Sequence, residues 1–414
     1  MKINRRTGMA LALATGLVLP SLAQAEDTIK IGVLATFEGP FTVLGEDGMR
    51  GALTAVDEMG GKVAGKKIEI VKGSSDASPD SAVRAARKLV EQDGVKVFVG
   101  PLSGDEGIAI KDYAKTKPDV TFINGTSAAQ DTTLRSPAPN FFRFSTDGAQ
   151  WMAGLGDYVF KEKGFKKVAT VAEDYSFPYT QVFGFMAAFC KAGGKVPSKS
   201  WVPIGNKDYS SVIAAIPDDV DAIYVALGGA DAVNFLSQYQ QAGGKAPLIG
   251  GSITVDQTVL TSKGKIHDVM IGTPSAGPTA DSNDGAAWKT FVAAYKKQPG
   301  AFPSPSLFAH GYYIDMKAAL LALDKVGGDV SDGGAKLRDA LSKLSFDTPT
   351  GKVSLDENRQ AIADIFLTEV AKGPDGNLYN KLVKVVPQVN QTLGIPKDEF
   401  LKLGAVGRDN PNCP

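Results

Sequence analysis

From residue 28 onward, short apolar runs alternate with stretches of helical periodicity, and many of the runs lead into turns of small or polar residues. Parallel strands need crossovers, and helices supply them. This alternation therefore restricts the chain to an α/β architecture with a mostly parallel sheet and right-handed connections. Residues 95–129, VKVFVGPLSGDEGIAIKDYAKTKPDVTFINGTSAA, show the pattern most densely. They predict a buried strand, a turn, a helix, a second strand and a second small-residue turn. Both turns follow the carboxyl end of a strand, the edge of an open α/β sheet where ligands bind. The first also opens a helix, whose unpaired amides and positive dipole end suit an anion such as a carboxylate. Ser103, Gly104, Gly125, Thr126 and Ser127 are small enough to let a ligand reach that backbone. The competing explanation is two ordinary βα turns, with Ser103 and Ser127 acting only as caps.

The rhythm runs twice. Strands are predicted at 28–34, 66–71, 95–100, 119–124 and 141–145, with helices over 47–59 and from Ser78-Pro79 onward. After Asp147 it restarts: helices over 150–162, 182–191, 209–216, 231–241 and 255–261 alternate with strands at 168–172, near Trp201, and at 222–227, 247–252 and 269–273. Two lobes explain 414 residues better than one overlarge sheet. The Gly/Pro/Ser-rich segment 272–284 is the expected crossing between them. Helices over 285–297, 305–326 and 333–344 follow, then strands 361–370 and 378–387 joined by a Gly-Pro-Asp-Gly turn. Residues 60–67, GGKVAGKK, imitate a phosphate-binding loop. Lys67 stands where a magnesium-binding hydroxyl belongs, however, and the segment precedes a strand instead of a helix, so it is read as a turn.

Lys2, Arg5 and Arg6, the apolar run 9–19, Pro20 and Ala23-Gln24-Ala25 form a secretory leader of bacterial type, expected to be cleaved after Ala25. The Arg5-Arg6 pair fits a twin-arginine signal poorly, so the general secretory route is expected. No Cys at the cleavage point offers a lipid anchor, and no later run is long and apolar enough to span a bilayer. Cleavage leaves 42 cations against 45 anions, net −3, which gives no reason to expect nucleic acid or an anionic membrane as partner. The expectation is an exported soluble monomer in the periplasm. Its two cysteines, Cys190 and Cys413, favour a disulfide in an oxidising compartment. A buried thiol at Cys190 with a frayed tail is the alternative.

In order and spacing, IKIGVLATFEGP, GEDGMRGALTAVDEMGG, VFVGPLSGDEG, DYSSVIAAIPDDVDAIYVAL, APLIGGS, HGYYIDMKAALLAL and TPTGKVSLDENRQ resemble the periplasmic branched-chain amino acid-binding proteins, the type I solute-binding components of ABC importers. The resemblance covers essentially the whole mature chain. It implies two Rossmann-like lobes with mostly parallel sheets joined by a three-segment hinge: 26–147 with 274–349, and 148–273 with 350–414. It implies closure on a small carboxylate, an amino acid or an aromatic or other organic acid, delivered to an ABC permease in the inner membrane, with no cofactor. Its carboxylate site falls on Ser103 and Gly104 and on Thr126, Ser127 and Ala128. The second-lobe aromatic falls on Tyr175 or Phe177. Where the family places an acid for the ligand's ammonium, this chain has Ser252, in GGSIT. Either Asp147, Asp174 or Asp256 substitutes, or the ligand has no ammonium, because an unpartnered buried ammonium is costly. Phe37, Phe41, Tyr175, Phe177 and Tyr312 are candidates for an apolar wall. Tyr312 on its apolar helix and Asp256 as a helix cap have equally plain structural explanations, and Trp151 fits either role.

A secreted hydrolase is the competing class. The only histidines, His267 and His310, are far apart, no GxSxG elbow, metal cluster or dinucleotide fingerprint is present, and Ser103 has no evident base. A ligand-sensing protein of the same fold is the third possibility, by analogy of fold alone.

Overall fold

The computed structural model describes residues 28–262, 266–410 and 412–413; the expected leader at 1–25 lies outside them. Two sheets organise the chain. In the first, Thr28–Thr36 is apolar on both faces and sits centrally, as a doubly covered parallel strand must. It pairs in parallel with Lys66–Ser75 on one side and with Val97–Val99 on the other. Thr121–Ile123 and Phe141–Phe142 extend the sheet beyond Val97–Val99. The GGKVAGKK segment is a hairpin between Lys62–Val63 and Lys66–Ser75, turned by Ala64 and Gly65, both at positive φ. It is the simple turn expected from its sequence.

The second sheet repeats the plan. Val168–Glu173 lies between Lys199–Val202 and Ala222–Ala226, followed by Leu248–Gly250 and Pro274–Gly277, all parallel. Ala361–Lys372 then pairs antiparallel with Pro274–Gly277 and, through a long hairpin, with Leu378–Val389. In each sheet the strand order reverses beside the first strand of its half, which makes a switch point at its carboxyl end. Helix Leu307–Lys325 is buried over most of its surface and packs on Thr42–Glu58. A Cβ at Gly51 would lie 1.9 Å from the Ala309 carbonyl oxygen, so only glycine permits that approach.

The structure departs from expectation in four places. The expected helix over 150–162 is two short ones, Gly148–Trp151 and Leu155–Lys161, broken at Gly154, which has φ +83°. The expected strand at 269–273 is absent. Ile266–Met270 is helical, with Ile266 and Met270 buried four residues apart, and the strand begins at Pro274. Pro274–Gly277 is therefore part of the second sheet, and the chain leaves that sheet after Gly277, later than the 273/274 boundary expected. Phe346–Thr348, expected with the first lobe, likewise pairs with Gly351–Leu355, which joins Ala361–Lys372.

Arg143, fully buried, ties these segments together. Its guanidinium donates to the carbonyls of Ser127 (3.1 Å) and Ala129 (2.7 Å), to Thr133 Oγ1 (2.7 Å) and to Gln360 Oε1. The Asp147 carboxylate lies 3.7 Å away. Burial pulls the Arg143 pKa down to about 10 and pushes Asp147 up, while their mutual attraction opposes both shifts. The Cys190–Cys413 disulfide pins the carboxyl-terminal tail to helix Ser176–Lys191. Arg143→Met strands the Asp147 carboxylate without its cation and is expected to cost about 3–5 kcal/mol of stability by urea unfolding. A loss below about 1 kcal/mol would show that solvent or another group compensates Asp147.

Candidate functional site

Residues that follow strand ends in both sheets meet in one cavity between the lobes. The first lobe contributes Leu102, Ser103, Gly104, Thr126 and Phe308. The second contributes Trp151, Tyr175, Phe177 and Ile253. The lobes touch directly around it. Asp105 Oδ1 accepts from the Ser176 amide (3.0 Å), Thr180 Oγ1 accepts from the Gln130 amide (3.2 Å), and the Phe41 and Tyr175 rings lie 6.1 Å apart. At Gly104 the fit is tight: a Cβ there would stand 2.6 Å from Ser176 Oγ and 2.8 Å from the Phe177 amide nitrogen. Glycine at this position lets the second lobe rest on the helix start.

Ser103 caps helix Gly104–Lys115 in a reciprocal box with Glu106. Its hydroxyl also donates to the Ala77 carbonyl (3.0 Å), so the side chain serves the fold while the residue borders the cavity. Burial raises the Glu106 pKa, and only one carboxylate oxygen, the one bonded to the Ser103 amide, has a partner among the described residues. The cap takes the Glu106 amide, while the Gly104 and Asp105 amides ahead of it have no intrahelical acceptor and suit an anion. The second turn differs from expectation. The Thr126 and Ser127 amides both donate to the Pro101 carbonyl (3.1 and 3.3 Å), so they do not form a free cradle. Ser127 Oγ is buried over Gly107, away from the cavity lining, and the Ala128 carbonyl accepts from the Gly148 amide. Thr126 does border the cavity, and its buried hydroxyl has no hydrogen-bond partner among the described residues.

The aromatic side is denser than expected. Tyr175 and Phe177 both line the cavity with ring centroids 6.1 Å apart, and Trp151 meets Phe177 edge-on at 5.6 Å. Burial pushes the Tyr175 hydroxyl well above its ordinary range, with Glu173 adding to the shift. Tyr312 packs instead, donating to the Leu34 carbonyl (2.6 Å). The acidic candidates are all engaged. Asp147 caps Gly148–Trp151 and accepts from Gln391 Nε2 (2.9 Å). Asp174 binds the Tyr179 hydroxyl and Arg408. Asp256 caps Gln257–Leu260 and crosses the seam to accept from the Leu307 amide (2.8 Å), where burial pushes its pKa up to about 7. Ser252 accepts from Gln181 Nε2 (2.6 Å) and borders a neighbouring polar cavity with Asp256, Ser275 and Asn380.

Of the expected ligand residues, the structure thus gathers Ser103, Gly104, Thr126, Tyr175 and Phe177 around one cavity. Ser127, Ala128, Asp147, Ser252 and Asp256 do not line it. Ile253, Phe308 and Leu102 were not foreseen, because each reads in sequence as an ordinary core residue.

Two doubly wound lobes meeting at both switch points define the class of hinged, two-lobed binding proteins. The periplasmic binding protein family model matches residues 28–375, and the chain belongs to that family. It is 28% identical over 378 residues to Leu/Ile/Val-binding protein homolog 6 of Brucella melitensis, covering 90% of this chain and 95% of that protein. Among solved structures, it is similar to a solute-binding protein of an ABC transporter from Rhodopseudomonas palustris in complex with 3,4-dihydroxybenzoic acid. That match has 30% identity and a TM-score of 0.81, and covers 88% of this chain and 99% of that one. A second R. palustris solute-binding protein, in complex with benzoate, matches at 25% identity and a TM-score of 0.78 over 87% of this chain and 98% of that one.

Gly104→Leu places a side chain into the Ser176–Phe177 backbone and is expected to abolish ligand-induced thermal stabilisation while leaving the unliganded melting temperature within a few degrees of wild type. A large fall in the unliganded value would make Gly104 a folding residue and not a closure residue.

Proposed function

We propose that this protein captures a small aromatic carboxylate between its lobes in the periplasm and delivers it to an ABC permease, acting by binding and release without turnover. The observation that carries this is the cavity wall. Trp151, Tyr175, Phe177 and Phe308 surround it with aromatic surface, while Asp147, Asp174 and Asp256 are each committed to donors within the protein. None of these three acids is free to meet a ligand ammonium, and a buried ammonium is costly without such a partner. An aromatic acid needs only an anion site and an apolar slot. The start of helix Gly104–Lys115 and the Thr126 hydroxyl provide the former, and the rings provide the latter. Two relatives named above, crystallised with benzoate and with 3,4-dihydroxybenzoate, support the same ligand class.

Several observations support a binding role over hydrolysis. The Ser103 hydroxyl is donated to a backbone carbonyl, and burial drives His310 down to a pKa of about 3 with its Nε2 against Thr350. No helix among the described residues is long and apolar enough to cross a membrane. With a leader cleaved after Ala25, the mature chain acts as a free monomer.

Calorimetry with benzoate, 4-hydroxybenzoate and leucine tests the proposal. Tight binding of an aromatic acid, with leucine at least about a hundredfold weaker, is the expected outcome, on the scale of about 2.7 kcal/mol. Leucine binding as tightly as benzoate would contradict it. Thr126→Val removes the unpartnered hydroxyl at constant shape and is expected to weaken benzoate about ten- to a hundredfold, the scale of one hydrogen bond to a charged group. Unchanged affinity would place the carboxylate elsewhere.

A further inference from the structure

Trp151 borders two cavities, not one. On one side it faces the interlobe cavity with Phe177 and Ile253; on the other it faces a second cavity towards the hinge, lined by Phe144, Thr146, Pro278, Leu307, His310 and Ile314. We infer that the Trp151 indole is the partition that limits the length of the acid this cleft accepts. This rests on the aromatic-carboxylate function proposed above.

The ring is held at three points. Its Nε1 donates to Thr146 Oγ1 at 2.7 Å, and its ring packs edge-to-face with Phe177 at 5.6 Å and 71°. Its backbone closes the single turn Gly148–Trp151, fixed at its start by the Asp147–Gln150 capping box. Gln150 Nε2 in turn donates to the Ala361 and Val389 carbonyls, so the turn cannot retreat without breaking buried hydrogen bonds. The hinge-side cavity suits an uncharged tail. Phe144, Pro278, Leu307 and Ile314 are apolar, buried His310 is neutral and paired with Thr350, and Asp364 at the margin is engaged by Gln388. Removing the indole joins the two spaces into one longer slot, with the anion site unchanged at its far end. Trp151 is thus a specificity residue for the non-carboxylate end of the ligand.

The test is calorimetry on the full mature protein with benzoate and biphenyl-4-carboxylate. Wild type is expected to prefer benzoate by about tenfold or more, and Trp151→Ala to shift the ratio of the two affinities towards the biphenyl acid by about tenfold or more. Trp151→Phe keeps a ring in place while losing the Thr146 bond, and is expected to retain the wild-type order. Trp151→Leu, which perturbs packing less than alanine, reads the same ratio where the alanine variant does not fold. Benzoate binding by wild type with an unchanged ratio in the folded Trp151→Ala or Trp151→Leu protein overturns the partition alone. Failure of wild type to bind either acid overturns the aromatic-carboxylate function and the partition together.

Discussion

A guanidinium withdrawn completely from water is the constraint on which this structure turns. Burying Arg143 is unfavourable unless every donor finds an acceptor, and the acceptors it finds belong to separate parts of the chain. The Ser127 and Ala129 carbonyls come from the turn beside the cavity, Thr133 from the segment after it, and Gln360 from the start of a strand of the second sheet. Gln360 continues the network to the Ser145 carbonyl and to Gln150, and Gln391 joins Asp147 to the Gln130 carbonyl. The first lobe's turn, the crossing near residue 145 and the carboxyl-terminal segment are thus bound at one buried point. Hydrogen bonds of this number to one buried group restrain the segments they join. Rigidity here places the cavity wall, because Trp151 follows directly from the Asp147 cap.

On that frame, the first lobe supplies the polar groups of the cavity and both lobes supply its apolar wall. The first lobe presents a helix start and a threonine hydroxyl together with Leu102 and Phe308; the second presents three aromatic rings and an isoleucine. Polar contacts cross the seam at Asp105–Ser176, Gln130–Thr180 and Asp256–Leu307, beside the Phe41–Tyr175 ring contact. A hydrogen bond contributes only about 1 kcal/mol net where water replaces it on opening, which suits a seam that must open. Asp256 is buried at this seam. A carboxylate at the amino end of helix Leu307–Lys325 is favoured by the helix dipole even as burial raises its pKa.

Much of the fold was legible because a repeated strand–helix alternation with small-residue turns allows few architectures. The helix start at Ser103-Gly104 and the loop aromatics at Tyr175 and Phe177 were legible for the same reason: both follow strand ends. Other features lay beyond one-dimensional reasoning. Residues 269–273 read as a strand because a short apolar run has no distinguishing period, and only the packing of Ile266 and Met270 resolves it as helix. The roles of Asp147 and Asp256 were open because an acid before a helix is either cap or ligand group until its neighbours are known. Ser127 stands off the cavity because a turn's side-chain directions depend on how it is held, here by Pro101 and Arg143. Arg143 itself, one cation in a short apolar strand, carried no signal of the network around it.

The central claim is that an aromatic acid draws two hinged lobes together over a largely apolar slot. Small-angle scattering of the mature protein, with and without saturating benzoate, measures this directly. A smaller radius of gyration and a shorter maximum dimension in the presence of benzoate are the predicted result. Identical scattering curves from protein shown by calorimetry to be saturated would contradict closure as the means of capture.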